Sequence, residues 1–350
     1  MIMKKPTMND VAKLAGVSQS TVSFVLNNSP ITISDEVKQR IFNAVDALGY
    51  KKRAKAKNFS KLTNKVIVLL IPNASNYFYM ELVKNISHFV TEKKYRLIVI
   101  NTNRSVSDEQ YYLKLLSSAN SKSQIAGIIY GFTPSILDVP QSVIENIPLV
   151  VIGEMTNHPN ISLVSLDSLV SGSMVADYLL NLNHTDIVFI TSPTQSISLS
   201  RERRLNGIER AIEGKGILTV LRGSKESEFD TANYEIEIGY QLTMDYFKRK
   251  KTTATAFIGA NDMIVFGIIK ALNEMRIAIP EQVSVCGFDN ILFSSLTNPS
   301  LTTVDHCTYW RCGMAVDILV NEIESKFPAP SKINCDPVLI VRNSSGPAPR

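Results

Sequence analysis

The chain has 350 residues, 45% hydrophobic and 20% charged, with a formal net charge of +5. That balance describes a globular protein with ample core, excludes a disordered or collagen-like chain, and leaves no apolar run near the ~20 residues of a membrane span. Cys286, Cys307, Cys312 and Cys335 lack the CxxC spacing of a metal site and read as reduced thiols, and the first residues carry no charged-then-apolar leader, so a cytoplasmic protein is expected.

In chain order, Thr7 is placed to cap a first helix with Val11, Leu14 and Ala15 at helical spacing, and Gly16 ends it. Ser18 caps a second helix with Val22, Val25 and Leu26 on one side and Gln19, Ser20, Thr21, Ser23 and Asn27 on the other. A third follows: Ser34 as cap, Asp35 and Glu36 at the positive end of the dipole, a stripe of Val37, Ile41, Val45 and Leu48, and Gly49 as the stop. Small polar side chains at the start of the second helix let it approach phosphates and base edges, the arrangement of a recognition helix in a helix-turn-helix. On local pattern alone, an amphipathic hairpin with a solvated polar face fits equally.

Charge separates the two. Residues 1–65 hold 12 Lys or Arg against 4 Asp or Glu, a net of +8 within a chain of +5, which leaves −3 for the remainder. The excess peaks at Lys51-Lys52-Arg53-Ala54-Lys55-Ala56-Lys57, directly after the third helix. Cations there would neutralise phosphates and release counterions.

From Lys65 onward, β-branched runs alternate with helical stretches. Strands are expected at Val66–Ile71, Arg96–Thr102, Ile125–Gly131, Leu149–Gly153, Leu163–Asp167, Asp186–Ser192, Leu218–Arg222, Ala254–Gly259, Ser284–Phe288, Leu301–Val304 and Leu339–Arg342. Continuous apolar strands separated by helices imply parallel sheets covered on both faces, and this many strands fit two α/β lobes better than one. Ligands of such sheets bind beyond the carboxyl ends of the strands, where the chain has Asn73 to Tyr79, Thr102-Asn103, Gly131-Phe132, Glu154, Asp167-Ser168, Ala260-Asn261-Asp262 and Asp289-Asn290. These amides, carboxylates and aromatics suit hydroxyls and a ring face, although Asn261 and Ser168 equally fit helix caps.

With these motifs in place, the chain closely resembles the lactose/galactose repressor (LacI/GalR) family of bacterial transcription regulators over nearly its whole length. The likeness rests on DVAKLAGVSQSTVSFVLN (Asp10–Asn27), Gly49-Tyr50, IPNASNYFYMELVKNI (Ile71–Ile86), NHTDIVFITSP (Asn183–Pro193), RRLNGIERAI (Arg203–Ile212), TAFIGANDMIVFGIIKAL (Thr255–Leu272), IPEQVSVCGFDN (Ile279–Asn290), LTTVDH (Leu301–His306) and VRNSS (Val341–Ser345). It implies an α/β chain with an N-terminal helix-turn-helix head and a two-lobed, periplasmic-binding-protein-like core of parallel sheets. The divisions expected are a DNA-binding domain at 1–50, a hinge at 51–64, an effector-binding and dimerisation core at 65–345, and a tail at 346–350.

The same resemblance implies a homodimeric repressor on a pseudo-palindromic double-stranded operator, controlled by a small-molecule effector, a sugar or sugar derivative. The alternative is control by a protein corepressor or by a purine or nucleoside. DNA contacts are expected at Thr7, Ser18, Gln19, Ser20, Thr21, Ser23, Phe24, Asn27, Thr32, Tyr50, Lys52, Lys55, Ala56 and Phe59. In the family a leucine in an Ala-x-x-Leu pattern wedges into the minor groove; here Ala56-Lys57-Asn58-Phe59 has that spacing, and Phe is a competent wedge. Phe24 stands where the family often has Arg, which moves base discrimination toward Gln19, Ser20 and thymine methyls. Effector contacts are expected at Phe78, Tyr79, Arg204, Tyr234, Asn261 and Asp289, with Arg204 and Asp289 as a charged fork for vicinal hydroxyls.

No membrane contact, cofactor or metal is expected. Phosphate-loop, GxGxxG, GxSxG and HExxH patterns are missing, and His88, His158, His184 and His306 are scattered, so the sequence does not read as an enzyme. The tail after Ser345 has no leucine heptads, which favours a dimer over a tetramer.

Overall fold

The structure, a computed structural model, describes residues 6–26, 33–50, 66–118, 124–134, 139, 141–154, 159–193, 199–224, 234–249, 253–325 and 329–349. Packing divides the chain into Met1–Leu62 and Thr63–Arg350.

The first unit contains α1 (Met8–Ala15), α2 (Gln19–Leu26) and α3 (Asp35–Leu48). Thr7 and Asp10 form a capping box: Thr7 N–H donates to Asp10 Oδ2 at 2.8 Å and Thr7 Oγ1 accepts from Asp10 N–H at 3.4 Å. Gly16, at φ +65°, closes α1 in the left-handed conformation that an L side chain resists. Ser18 Oγ accepts from Thr21 N–H at 3.1 Å, so Ser18 caps α2 as expected. Val11, Ala12, Ala15, Val22, Val25, Ile41 and Ala44 are the buried core.

Two readings are corrected here. Leu14 is 57% exposed, and Ala12 takes its place. At about 100° per residue, Val11, Ala15 and Ala12 share one arc and Leu14 falls outside it. Ser34 occupies the cap position of α3 but makes no side-chain cap bond; Asp35 and Lys38 pair at 2.8 Å in the first turn instead.

The second unit runs β1 (Val66–Ile71), α4 (Tyr77–Glu92), β2 (Arg96–Asn101), α5 (Val106–Ser117), β3 (Ile125–Tyr130), α6 (Gln141–Ile144), β4 (Leu149–Gly153), β5 (Ser162–Leu166) and α7 (Ser168–Asn181). It continues with β6 (Asp186–Thr191), α8 (Leu199–Ile212), β7 (Ile217–Arg222), α9 (Tyr234–Arg249), β8 (Ala256–Gly259), α10 (Asp262–Glu274), β9 (Ser284–Phe288), β10 (Thr302–Asp305), α11 (Thr308–Glu324), β11 (Lys332–Cys335) and β12 (Val338–Ile340). The strands form two six-stranded sheets, in the orders β11-β5-β4-β3-β1-β2 and β12-β10-β9-β8-β6-β7. The two expected α/β lobes are therefore present.

The pairing is parallel except between β10 and β12. β11 was not among the expected strands: Lys-Ile-Asn-Cys is short and alternates exposed with half-buried positions at a sheet edge, so it lacks the apolar run that marks its neighbours. Beyond Ser345, Gly346 C=O accepts from Ser284 Oγ at 3.1 Å and Ala348 N–H donates to Leu182 C=O at 2.8 Å, so these last residues are bonded to the second lobe.

Among the described residues the chain passes between lobes at three places: between β5 and α7, at His306-Cys307 between β10 and α11, and at Asp336-Pro337 between β11 and β12. α11 belongs to the first lobe, where Cys312, Ala315, Val316 and Leu319 pack on Ile67, Leu69 and Ile129. α7 belongs to the second and crosses α8 at close range. A Cβ on Gly172 would lie 2.0 Å from the Arg204 carbonyl oxygen, and one on Gly207 2.1 Å from that of Leu169. No described helix is long and apolar enough to cross a membrane.

Candidate functional site

The carboxyl ends of strands from both sheets face one cleft. Pro72 and Asn76 follow β1, Gly131 to Thr133 follow β3, and Glu154 follows β4; from the second lobe come Asn261 after β8, Asp289 after β9 and His306 after β10. The cleft is partly open to solvent and is lined by polar, charged and aromatic side chains of both lobes.

Arg204, on α8, is the centre of its second-lobe wall. Its Nη1 donates to Ala260 C=O at 2.6 Å, its Nη2 reaches Asp289 Oδ1 at 3.2 Å, and its guanidinium sits 4.8 Å above the Phe288 ring. The close approaches at Gly172 and Gly207 fix the height of α8, and with it the guanidinium. His306 Nε2 lies 2.6 Å from Arg204 Nη2 and 3.1 Å from Asp289 Oδ1. Burial, and then the neighbouring Arg204 charge, push the imidazole pKa down to about 4, so the ring is neutral at pH 7. An unprotonated Nε2 accepts from Arg204.

Behind this wall Asp262 is fully buried. It accepts from Ser294 Oγ and Thr303 Oγ1, each at 2.6 Å, and from Ile291 N–H at 3.3 Å. Burial and the nearby Asp289 charge raise its pKa to about 8. Those bonds tie down the stretch that follows Asp289, whose φ of 111° is unusual for a residue with a side chain.

Two further arginines join the lobes. Arg201 pairs with Glu235 and Ser192, and Glu235 accepts from Asn76 Nδ2 of the first lobe at 2.6 Å. Arg203 pairs with Glu154 of the first lobe at 3.1 Å and with Asp167 at 2.8 Å. Burial alone would raise the Asp167 pKa, but the Arg203 bond and the α7 amides that Asp167 caps hold it below the usual carboxylate value. Tyr77 and Phe293 meet edge to face across the lobes, with ring centroids 4.8 Å apart.

Of the effector residues expected from the sequence, Phe78, Tyr79, Arg204, Asn261 and Asp289 border this one cleft. Asn261 is also the cap of α10, accepting from Ile264 N–H at 3.0 Å. Tyr234 is a correction. Its ring packs in the second lobe's core and its hydroxyl donates to Ser224 C=O at 2.8 Å, away from the cleft, while its neighbour Glu235 faces the Asn76 bridge. As first residue of α9, Tyr234 points along the sheet side of that helix, an orientation its position in the sequence does not reveal.

Sequence reasoning placed Asn76 in a ligand-facing loop without assigning it a contact, counted His306 only among scattered histidines, and missed Arg201, Glu235 and Arg311. Asn76 and His306 follow strands, which is a usable signal. Arg201, Glu235 and Arg311 lie within helices and carry no motif.

In the head, Ser18, Gln19 and Ser20 are exposed and Thr21 and Ser23 partly so, while Val22 and Val25 are buried. Thr7 is engaged by its capping box, and Tyr50 packs against the head core. Phe24 lies in α2 with its side chain outside the described residues, as are Asn27, Thr32, Lys52, Lys55, Ala56 and Phe59. Among the described residues no group of three or more His, Cys, Asp or Glu is placed to hold a metal.

Residues 7–52 match a family model described as bacterial regulatory proteins, lacI family, and residues 176–345 match a periplasmic binding protein-like domain. The NTD biosynthesis operon regulator NtdR of Bacillus subtilis (strain 168) is 30% identical over 300 residues, 86% of this chain and 87% of its own length. The HTH-type transcriptional repressor PurR of Edwardsiella ictaluri (strain 93-146) is 28% identical over 354 residues, 98% of each chain. Among solved structures, a LacI family transcriptional regulator from Enterococcus faecium with bound ribose aligns with a TM-score of 0.68 at 22% identity, over 81% of this chain and 99% of that one.

Proposed function

This chain belongs to the lacI family of bacterial regulatory proteins, DNA-binding regulators of transcription, and we propose that a sugar or sugar derivative held in its cleft controls its grip on the operator. The observation that carries the effector reading is the Arg204–Asp289 pair beside Phe78 and Asn261. A guanidinium and a carboxylate 3.2 Å apart offer donors and acceptors to adjacent hydroxyls, and an aromatic edge nearby suits the apolar side of a sugar ring. The ribose held by the Enterococcus faecium structure supports the same class of ligand.

The division of labour follows the chain: residues 1–50 read DNA, 51–64 form the hinge, 65–345 bind effector and dimerise, and 346–350 are a tail. Ser18, Gln19, Ser20, Thr21 and Ser23 meet base edges and phosphates, and the run Lys51 to Lys57 neutralises the backbone. The repressor is a homodimer on a pseudo-palindromic operator. Supporting this, Ile98 and Val99 on edge strand β2 and Tyr111 and Leu115 on α5 are exposed apolar side chains of the first lobe, material for contact with a second copy.

Effector binding to the DNA-releasing arrangement lowers operator affinity by the ratio of its affinities for the two arrangements, which is induction. A thermal-shift screen of sugars, nucleosides and phosphorylated sugars, followed by operator binding with each hit, tests this. A hit that stabilises the core and weakens operator binding supports it. Response to a protein partner alone would overturn it.

A further inference from the structure

We propose that the cleft recognises a negatively charged group on its ligand, a carboxylate or a phosphate, through Arg311 and Ser168. The inference rests on the effector reading above and narrows its ligand to a sugar acid or a phosphorylated sugar.

Arg311 lies in the first turns of α11, just past the His306-Cys307 crossover, and borders the cleft from the first lobe. It is 5% exposed. Its Nη2 donates to the carbonyls of Val164 at 3.2 Å and Gly153 at 3.5 Å, its Nε is buried with no partner, and it makes no ion pair among the described residues. Arg201, Arg203 and Arg204, around the same cleft, each hold a carboxylate: Glu235, Glu154 with Asp167, and Asp289. Arg311 therefore differs from them in being a buried guanidinium set against backbone dipoles alone.

A second group points the same way. Ser168, 1% exposed, borders the cleft at the start of α7, and its hydroxyl is buried without a partner. Its own N–H is committed to Glu154 Oε2 at 3.4 Å. Glu154 is near enough to favour the Arg311 charge, but its carboxylate is held by Arg203 at 3.1 Å, and that guanidinium is shared with Asp167.

The charge balance follows. Arg201, Arg203 and Arg204 have their charges answered by carboxylates, whereas among the described residues no carboxylate lies within ion-pair distance of Arg311. A buried charge is costly unless it is paired and hydrogen-bonded. A neutral sugar hydroxyl could fill the vacant donors but not the charge; a ligand oxyanion does both, because guanidinium donors match its geometry.

The test compares matched ligands on the full-length chain by calorimetry and thermal shift: D-glucose with D-gluconate, D-ribose with D-ribose 5-phosphate, and inorganic phosphate alone. The wild type should bind the charged member of at least one pair on the order of tenfold more tightly than its neutral partner. The pair that responds distinguishes carboxylate from phosphate. Arg311→Met should erase that preference while leaving the melting temperature of the free chain unchanged or higher, as removal of an unpaired buried charge allows. Ser168→Ala should weaken the charged member several-fold and carries the test if Arg311→Met does not fold. Equal binding of charged and neutral members, an undiminished preference in both variants, or no binding of any anion overturns the inference. A neutral sugar that binds and shifts operator affinity would then leave the effector reading standing.

Discussion

Asn76 and Glu235 meet at 2.6 Å, the Nδ2 of one donating to the Oε2 of the other, and they belong to different lobes. The opposite face of the Asn76 amide accepts from Phe78 N–H at 2.9 Å and so caps α4, while the second oxygen of Glu235 takes Arg201. One hydrogen bond thus links the start of α4, which carries Phe78 and Tyr79, to the start of α9 and to the cleft wall on α8. Because it bridges the two lobes, its strength favours the lobe arrangement in which both residues meet.

Glu235→Ala should therefore speed effector release by about tenfold, the worth of one buried charge-assisted bond of roughly 1.5 kcal/mol. Operator binding by the effector-free chain should change much less, because the substitution lies outside the head. Stopped-flow release kinetics beside a gel-shift titration would read both, and an unchanged release rate would mean that this bond does not govern closure.

Arg204→Ala and Asp289→Ala should each keep operator binding and lose the response to effector, with potency falling by about a hundredfold or more where the remaining partner is left buried and unpaired. Operator titrations at increasing effector read this directly. Wild-type potency in both variants would dismiss the cleft as the control site and favour a protein corepressor.

Asp262 makes the stability of the core depend on pH. Its carboxyl is fully buried and keeps its proton up to about pH 8, against 3.8 for an unperturbed aspartate. The proton is retained by the folded chain where the unfolded chain has lost it, so this contribution is complete below about pH 4 and is lost as pH rises through about 8. The stability difference between wild type and Asp262→Asn should fall with pH across that window, by up to about 1.4 kcal/mol per unit. Denaturant melts from pH 5 to 8 would show it, and a pH-independent difference would count against a protonated Asp262.

For the head, Lys52, Lys55 and Lys57 changed together to Ala should lower the steepness of operator affinity against salt by about one unit of log-log slope for each phosphate no longer neutralised. The segment from 1 to 65 carries the net +8 that makes such neutralisation plausible on charge alone. An unchanged slope would remove this run from the phosphate-binding surface.

The sequence by itself determined the parts whose physics is local. Helix stops at Gly16 and Gly49, the Thr7 cap and the polar face of α2 follow from side chains within a few residues of one another. The strands buried on both faces, such as Val66–Ile71 and Ser284–Phe288, are legible as apolar runs because every position is covered. Phe78, Tyr79, Asn261 and Asp289 lie just beyond strands β1, β8 and β9, positions that strand ends advertise, whereas Arg204, within α8, was expected from the family resemblance alone.

What only the tertiary structure decided are the pairings between distant parts of the chain. Leu14 and Ala12 are both apolar, and only packing against α2 and α3 selects which is buried. Tyr234 and Glu235 are adjacent, and the rotation of α9 on its sheet turns the tyrosine into the core and gives the glutamate to Arg201 and Asn76. Arg311 is one charge on a helix until α11 crosses to the first lobe, where it becomes buried beside Gly153 and Val164 with its Nε unanswered. Burial and partner choice depend on neighbours far away in sequence, and these set the electrostatics of the cleft.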